Sequence, residues 1–175
     1  TGRSPQDRFI VMDEITENNV WWDGKTNIPF DSDKFDALYD KVVEHLSNRE
    51  IYVRDAFACA DEAYKTKIRA ITETPAANLF IYNMFIRPTE EEIKNFGESE
   101  WTIINAPTFT ADADIDGTRQ HNFSILNFKR KIVLNGGTGY TGEMKKGIFS
   151  ALNFIMPVFK NTLPMHCSAN SGENG

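Results

Sequence analysis

The stretch Asn135-Gly-Gly-Thr-Gly-Tyr-Thr-Gly-Glu-Met-Lys-Lys-Gly147 constrains this chain more than any other. Gly136, Gly137, Gly139 and Gly142 are followed by two adjacent lysines and a helical pattern. Glycines placed where a strand gives way to a helix let the backbone approach a ligand and adopt positive φ. The helix behind them offers free N–H groups and the positive end of its dipole. An anionic ligand is the natural reading. A Walker A loop is excluded, because Gly137 and Gly142 have the right separation but Glu143 stands where the lysine belongs. A carboxylate there is expected to repel phosphate.

From Met144 onward, apolar residues fall at Met144, Ile148, Ala151, Leu152 and Ile155, a helical stripe whose expected end is Pro157. At about 100° per residue, Lys146 points nearly opposite that stripe, beside Ser150 and Asn153, with Lys145 at its flank. On the helix pattern alone, two lysines on a solvated face is the plainer reading. The glycine run in front of them sets a ligand-binding role beside it.

Two further stretches carry chemistry. In Thr1-Gly-Arg-Ser-Pro-Gln-Asp-Arg8, Arg3 lies between Gly2 and Ser4-Pro5. Proline holds its neighbour extended, and a rigid arginine fork suits bidentate capture of a carboxylate. By position alone, a disordered terminal arginine is the plainer reading. In Pro164-Met-His-Cys-Ser-Ala-Asn170, His166 is expected on a short strand ending. A lone histidine is more often structural than a ligand. Cys167 beside it reads as a soft ligand or, more simply, a buried bystander.

Taken together, these stretches resemble the ATP-dependent phosphoenolpyruvate carboxykinases. The 136–150 segment resembles their lysine-pair signature, residues 1–8 their substrate-binding arginine loop, and residues 164–170 their metal-binding histidine loop. The resemblance runs over the whole chain, which is shorter than the family's usual length. It implies the N-terminal domain of that fold over residues 1–170, an α/β or α+β arrangement with a mixed sheet flanked by helices. Residues 171–175 would then begin a linker to a nucleotide-binding domain. The activity implied is that of a gluconeogenic carboxy-lyase of the cytoplasm, which converts oxaloacetate and ATP to phosphoenolpyruvate, CO2 and ADP.

The resemblance also implies roles. Arg3 would hold the substrate carboxylate and help bind CO2. Tyr140 would lie against phosphoenolpyruvate or CO2, with Lys146 also in the substrate set. Lys146 and His166 would hold Mn2+, and His166 would lie near the ATP γ-phosphate. Lys145 and Lys146 are the catalytic candidates, Lys145 as a cation near the enolate with no single role assigned. A lysine ligand must be a neutral amine, and burial beside a dication permits that. ATP with Mg2+ would bind mostly through the nucleotide domain. The Lys146–His166 spacing is one residue longer than the family's, an insertion placed in the Phe159–Thr162 loop.

The chain lacks a Gly-x-x-x-x-Gly-Lys-Thr and offers no aspartate assignable as a third metal ligand. The isolated chain is therefore expected to be inactive and to bind ATP weakly or not at all. It begins on a motif without methionine and closes in polar, glycine-rich Ser171–Gly175, so an excised piece of a larger enzyme is expected. The GTP-dependent carboxykinases perform the same chemistry with divergent sequences. The alternative from another class is a non-catalytic module that binds small carboxylates. Oligomeric state is open, with a monomer favoured for the full enzyme.

Composition narrows the partners. A net charge of −6 argues against nucleic acid, which calls for a basic face. The sequence shows neither an apolar run of membrane length nor a signal-peptide pattern. Cys59 and Cys167 make no disulfide framework and read as reduced thiols of a cytosolic protein.

Along the rest of the chain, Arg8–Val11 reads as a short strand. Trp21-Trp22-Asp23-Gly24 reads as a turn whose aromatics pack in the core. Ser32 or Asp33 caps a helix with Phe35, Leu38, Val42 and Leu46 on one face. Ile51–Phe57 reads as a strand, Asp61–Thr72 as a helix ended near Pro75, and the apolar run Leu79–Ile86 as a buried strand. Arg87 is expected in a structural ion pair, with an active-site role as the alternative. Thr89–Glu92 is a capping box for a helix reaching Phe96, broken by Gly97. Trp101–Asn105, Phe123–Phe128 and Lys131–Leu134 read as strands, the last two paired through Lys129-Arg130. Asp112, Asp114 and Asp116 superficially resemble a calcium loop, but Phe123 stands where its twelfth-position glutamate belongs, so an acidic turn is expected. Strands alternating with helices point to a mixed sheet.

Overall fold

The computed structural model describes residues 2–173; Thr1 of the arginine loop and Asn174-Gly175 of the expected linker lie outside the described residues. Among those described, seven strands form one mixed sheet: β1 (Arg8–Val11), β2 (Ile28–Phe30), β3 (Tyr52–Ala58), β4 (Thr66–Thr72), β5 (Trp101–Ala106), β6 (Phe123–Asn127) and β7 (Ile132–Gly136). Their order is β2-β1-β6-β7-β5-β4-β3. β3–β4 and β6–β7 are antiparallel, and the other neighbours run parallel. The helices are α1 (Ser32–Ser47), α2 (Pro75–Met84), α3 (Glu90–Lys94), α4 (Ala113–Asp116) and α5 (Gly142–Lys160). The architecture is the expected α/β class with a mixed sheet flanked by helices. No helix of the described residues is long and apolar enough to cross a membrane.

Side chains alternate across a strand, so each central strand feeds two cores. Ile104, Ile125 and Leu134 face α1, with its buried Phe35, Leu38, Val42 and Leu46. Their neighbours Ile103, Leu126 and Val133 face Met144, Ile148 and Ala151 of α5 and Ala77 and Ile81 of α2. Coverage on both faces explains why β5 and β7 are nearly all buried. Gly147 brings α5 close to β7, because a Cβ there would lie 2.3 Å from a Val133 methyl.

Several expectations hold in detail. Asp31, one residue earlier than expected, caps α1 by accepting a hydrogen bond from the Lys34 N–H at 2.9 Å. Thr89 and Glu92 form the full capping box of α3, which ends at Lys94 rather than Phe96. β6 and β7 form the hairpin across Lys129-Arg130.

Two elements exchange type. Asp61–Thr72, expected as a helix, is a turn followed by strand β4. Its alternation buries Ile68, Ala70 and Thr72, while the cations of Lys67 and Arg69 lie over the Phe96 ring. Leu79–Ile86, expected as a strand, falls largely in α2. Thr74 caps that helix and Pro75 occupies its first turn, so the proline starts a helix instead of ending one. Only one side of α2 is covered: Ala77 and Ile81 are buried while Leu79, Tyr82 and Met84 are exposed.

Smaller corrections follow the same logic. Pro157 does not end α5, which continues to Lys160 and closes at Asn161 with φ 49°. The proline sits on an exposed face of the last turns and removes one helix hydrogen bond there without ending the helix. The Phe159–Thr162 insertion point is thus half helix. Trp21 is not core: it is 67% exposed. Arg87 forms no ion pair among the described residues; its guanidinium lies 4.2 Å from the Tyr82 ring centroid and donates to the Tyr82 hydroxyl at 2.9 Å. The acidic turn is the single helical turn α4, whose buried Asp116 accepts from Lys41 at 2.5 Å.

Candidate active site

Strand register brings the arginine loop to the glycine run. Arg8, the first residue of β1, lies level with Ser124 of β6, and Ser124 lies level with Asn135 of β7. The beginning of β1 therefore stands level with the end of β7 across β6, where the chain turns through Gly136 and Gly137 towards α5. Gly137 has φ +67°, and a Cβ there would meet the His121 carbonyl oxygen at 2.5 Å. No side chain caps the first turn of α5; the Glu143 and Met144 N–H groups donate instead to the Tyr140 and Thr141 carbonyls at 3.3 and 3.2 Å, so they are not the free donors that the glycine pattern suggests.

Two ion pairs fix this corner. Arg8 donates through Nε and Nη2 to the two carboxylate oxygens of Glu143 at 2.7 and 2.8 Å. Glu143 is buried in the first turn of α5. Its negative charge is thus engaged by a residue 135 positions away, which removes the simple repulsion expected from the sequence. On the other side, Asp7 is buried and receives Arg119, Gln120 and Asn122. Burial alone pushes the Asp7 carboxyl up, but hydrogen bonds from Arg119, Ser4 and Gln120 outweigh it and hold the group below its ordinary value.

The sequence candidates fall around this frame. Arg3 is exposed on the loop leading to the short turn Pro5–Asp7 and β1. Tyr140 is half-buried; its N–H donates to Thr138 Oγ1 at 3.1 Å and its ring covers Gly142. Lys146 is half-buried and lines a cavity of ≈ 380 Å³ with Arg8, Glu143, Ser150, Asn153 and Trp21. Lys145 is exposed and does not line that cavity. His166 lies in an irregular, exposed segment and not at a strand ending. Its ring packs on Phe149, centroids 5.0 Å apart, one turn along α5 from Lys146. Cys167 is exposed rather than a buried bystander. Tyr140 thus precedes α5, Lys146 sits in its second turn, His166 lies beyond its C-terminal end against Phe149, and Arg3 stands on the loop before β1.

Arg8, Glu143, Asp7 and Trp21 also shape the corner without being site candidates in the sequence. Glu143 and Lys146 are three residues apart on one helix, a spacing that makes neighbours, and that signal was available. The partnership of Arg8 with Glu143 rests on sheet register, which the residue pattern does not encode.

Among the described residues no group of three or more His, Cys, Asp or Glu is placed to hold a divalent ion. Lys146 has no carboxylate partner among them. The amine of Lys146 and the imidazole of His166 are donor types that a divalent ion takes, and the remaining ligands would come from outside these residues.

Comparison with known proteins identifies the family. A family model described as phosphoenolpyruvate carboxykinase matches residues 1–175. The chain is 63% identical over 175 residues to the phosphoenolpyruvate carboxykinase (ATP) of Christiangramia forsetii and to that of Flavobacterium johnsoniae. It is 50% identical to that of Deinococcus radiodurans. These alignments cover 100% of this chain but 32%, 32% and 37% of the relatives, so the chain spans about a third of their length. The chain belongs to the phosphoenolpyruvate carboxykinase family.

Proposed function

We propose that this chain supplies the substrate- and metal-facing part of an ATP-dependent phosphoenolpyruvate carboxykinase, a lyase that converts oxaloacetate and ATP to phosphoenolpyruvate, CO2 and ADP. The observation that carries the reading is the corner where the arginine loop, through Arg8, meets the first turns of α5, which bear Glu143 and Lys146. Arg3 forms the carboxylate fork of the substrate site. Tyr140 makes the pocket wall against the small acid.

Lys146 and His166 are the residues that hold the divalent ion, Mn2+ in our reading, with Lys146 as the neutral amine. Once bound, the ion neutralises charge on the enolate and phosphoryl oxygens. Cleavage of the C–C bond to the departing CO2 leaves its electron pair as an enolate. The enolate oxygen then takes the γ-phosphoryl group from ATP, and ADP leaves. Arg3 and Tyr140 orient the reacting acid, and Lys145 places a cation beside the forming charge. ATP with Mg2+ binds mainly outside these residues, so the isolated chain is inactive.

The test is Mn2+ binding and oxaloacetate decarboxylation by the full-length protein. Lys146→Ala and His166→Ala each weaken Mn2+ binding and abolish coupled turnover; Arg3→Ala raises KM for oxaloacetate. Turnover by residues 1–175 alone would refute the division of labour. Oxalate binding that ignores Mn2+ in the full-length protein would favour a non-catalytic carboxylate-binding module.

A further inference from the structure

Lys146 has a carboxylate neighbour in sequence that it does not use. Glu143 lies three residues before it on α5, a spacing that places Cβ atoms about 5–6 Å apart and commonly yields an ion pair. Both side chains line the same cavity. Yet both Glu143 oxygens point to Arg8, at 2.7 and 2.8 Å, and Lys146 stays free of any carboxylate among the described residues. Glu143 is buried, so its carboxylate must be met by some donor. Arg8 and Lys146 are the two cations lining this cavity.

We propose that Arg8 is a positioning residue for the site: by occupying both oxygens of Glu143 it keeps Lys146 unpaired and free to engage a ligand. The same fork ties the first residue of β1, and with it the loop carrying Arg3, to the first turn of α5. A bidentate arginine suits this task, since its planar fork saturates both oxygens at once. This proposal rests on the assignment of Lys146 as a ligand-engaging residue.

The experiment measures Mn2+ affinity of the full-length protein, in the absence of nucleotide and oxaloacetate, by electron paramagnetic resonance of free Mn2+. The variants are Arg8→Ala, Glu143→Gln, the double variant, and Lys146→Ala as control. In Arg8→Ala, Glu143 turns to Lys146 and Mn2+ affinity falls by about tenfold, the range of outer-shell substitutions. Glu143→Gln alone keeps affinity within about threefold of the parent, below that range.

The double variant lacks the ion pair too, but it also lacks the competing carboxylate, so it recovers most of the lost affinity. A purely structural tie would leave the double variant as weak as Arg8→Ala, and that result overturns the proposal. Unchanged affinity in Arg8→Ala overturns it as well. If Arg8→Ala does not fold, Arg8→Gln, which keeps part of the stem and replaces the charged fork by a neutral amide, carries the same expectation. If Lys146→Ala binds Mn2+ like the parent, the assignment of Lys146 has failed; if only the Arg8 series is silent, this proposal alone has failed.

Discussion

Arg119 donates through Nε and Nη2 to both carboxylate oxygens of Asp7, at 2.8 and 2.9 Å, from 112 residues further along the chain. The pair closes the far side of the arginine loop, while Arg8 and Glu143 close the near side. Gln120 adds a third donor to Asp7 at 2.6 Å. The turn after Arg3 is therefore held by hydrogen bonds rather than by apolar packing.

Asp7→Asn is expected to destabilise the protein by about 1–3 kcal/mol, because buried donors lose their charged acceptor. Urea unfolding checks this at neutral pH. The sign with pH follows from the lowered carboxyl of Asp7. A depressed folded-state value adds stability above the ordinary 3.8 and loses it as pH falls through the folded value. The gap between parent and variant therefore narrows on acidification below pH 3.8.

A second acid transition belongs to α3. The ammonium of Lys65, then the backbone N–H and hydroxyl of Thr89, hold Glu92 down at about 2 from its ordinary 4.5. The capping box contributes stability above pH 4.5 and loses it between 4.5 and about 2. Glu92→Gln should lower the melting temperature at pH 6 and leave it nearly unchanged at pH 2. A constant difference across that range would contradict the assignment.

The glycine run divides into a strained position and a free one. Gly137→Ala meets both a left-handed φ and the His121 carbonyl. It should cost at least about 1–2 kcal/mol from handedness alone. Gly139 has nothing within 4 Å of its would-be Cβ. Gly139→Ala should stay within about 0.5 kcal/mol of the parent, as surface substitutions do. Denaturant midpoints of the two variants give the comparison.

Leu38 is fully buried between α1 and the sheet. Leu38→Ala should cost about 2–5 kcal/mol, the range for a large-to-small change in a packed core. A smaller loss would mean that this face collapses around the gap.

The elements legible in the sequence share one property: their signal is local. α1 carries a full apolar face behind a capping aspartate, α3 carries its own box, and the β6–β7 hairpin has a polar turn between apolar runs. The exchanged pair, β4 and α2, shows where local signals compete. Leu79–Ile86 is apolar throughout, which fits a buried strand or a buried helix equally by periodicity. The deciding mark was Thr74-Pro75, a helix start that also reads as a stop. Thr66–Thr72 carried a true alternation, masked by the lengths of Lys67 and Arg69.

In the candidate site, Tyr140, Lys146 and His166 were legible as residue types beside glycine and helix signals. Their companions were not. Arg8 reaches Glu143 because three strands align Arg8, Ser124 and Asn135, and that alignment depends on long-range pairing. Trp21 was expected in the core by size. Its loop instead leaves the indole at the mouth of the Lys146 cavity, stacked over Gly24.

That placement gives the molecule a built-in optical reporter. Trp101 is sealed in the sheet and Trp22 is half-covered, but the Trp21 indole is solvated and borders the cavity. Emission from Trp21 will register whatever enters beside Lys146, so occupancy of this corner is readable by fluorescence titration without an attached dye.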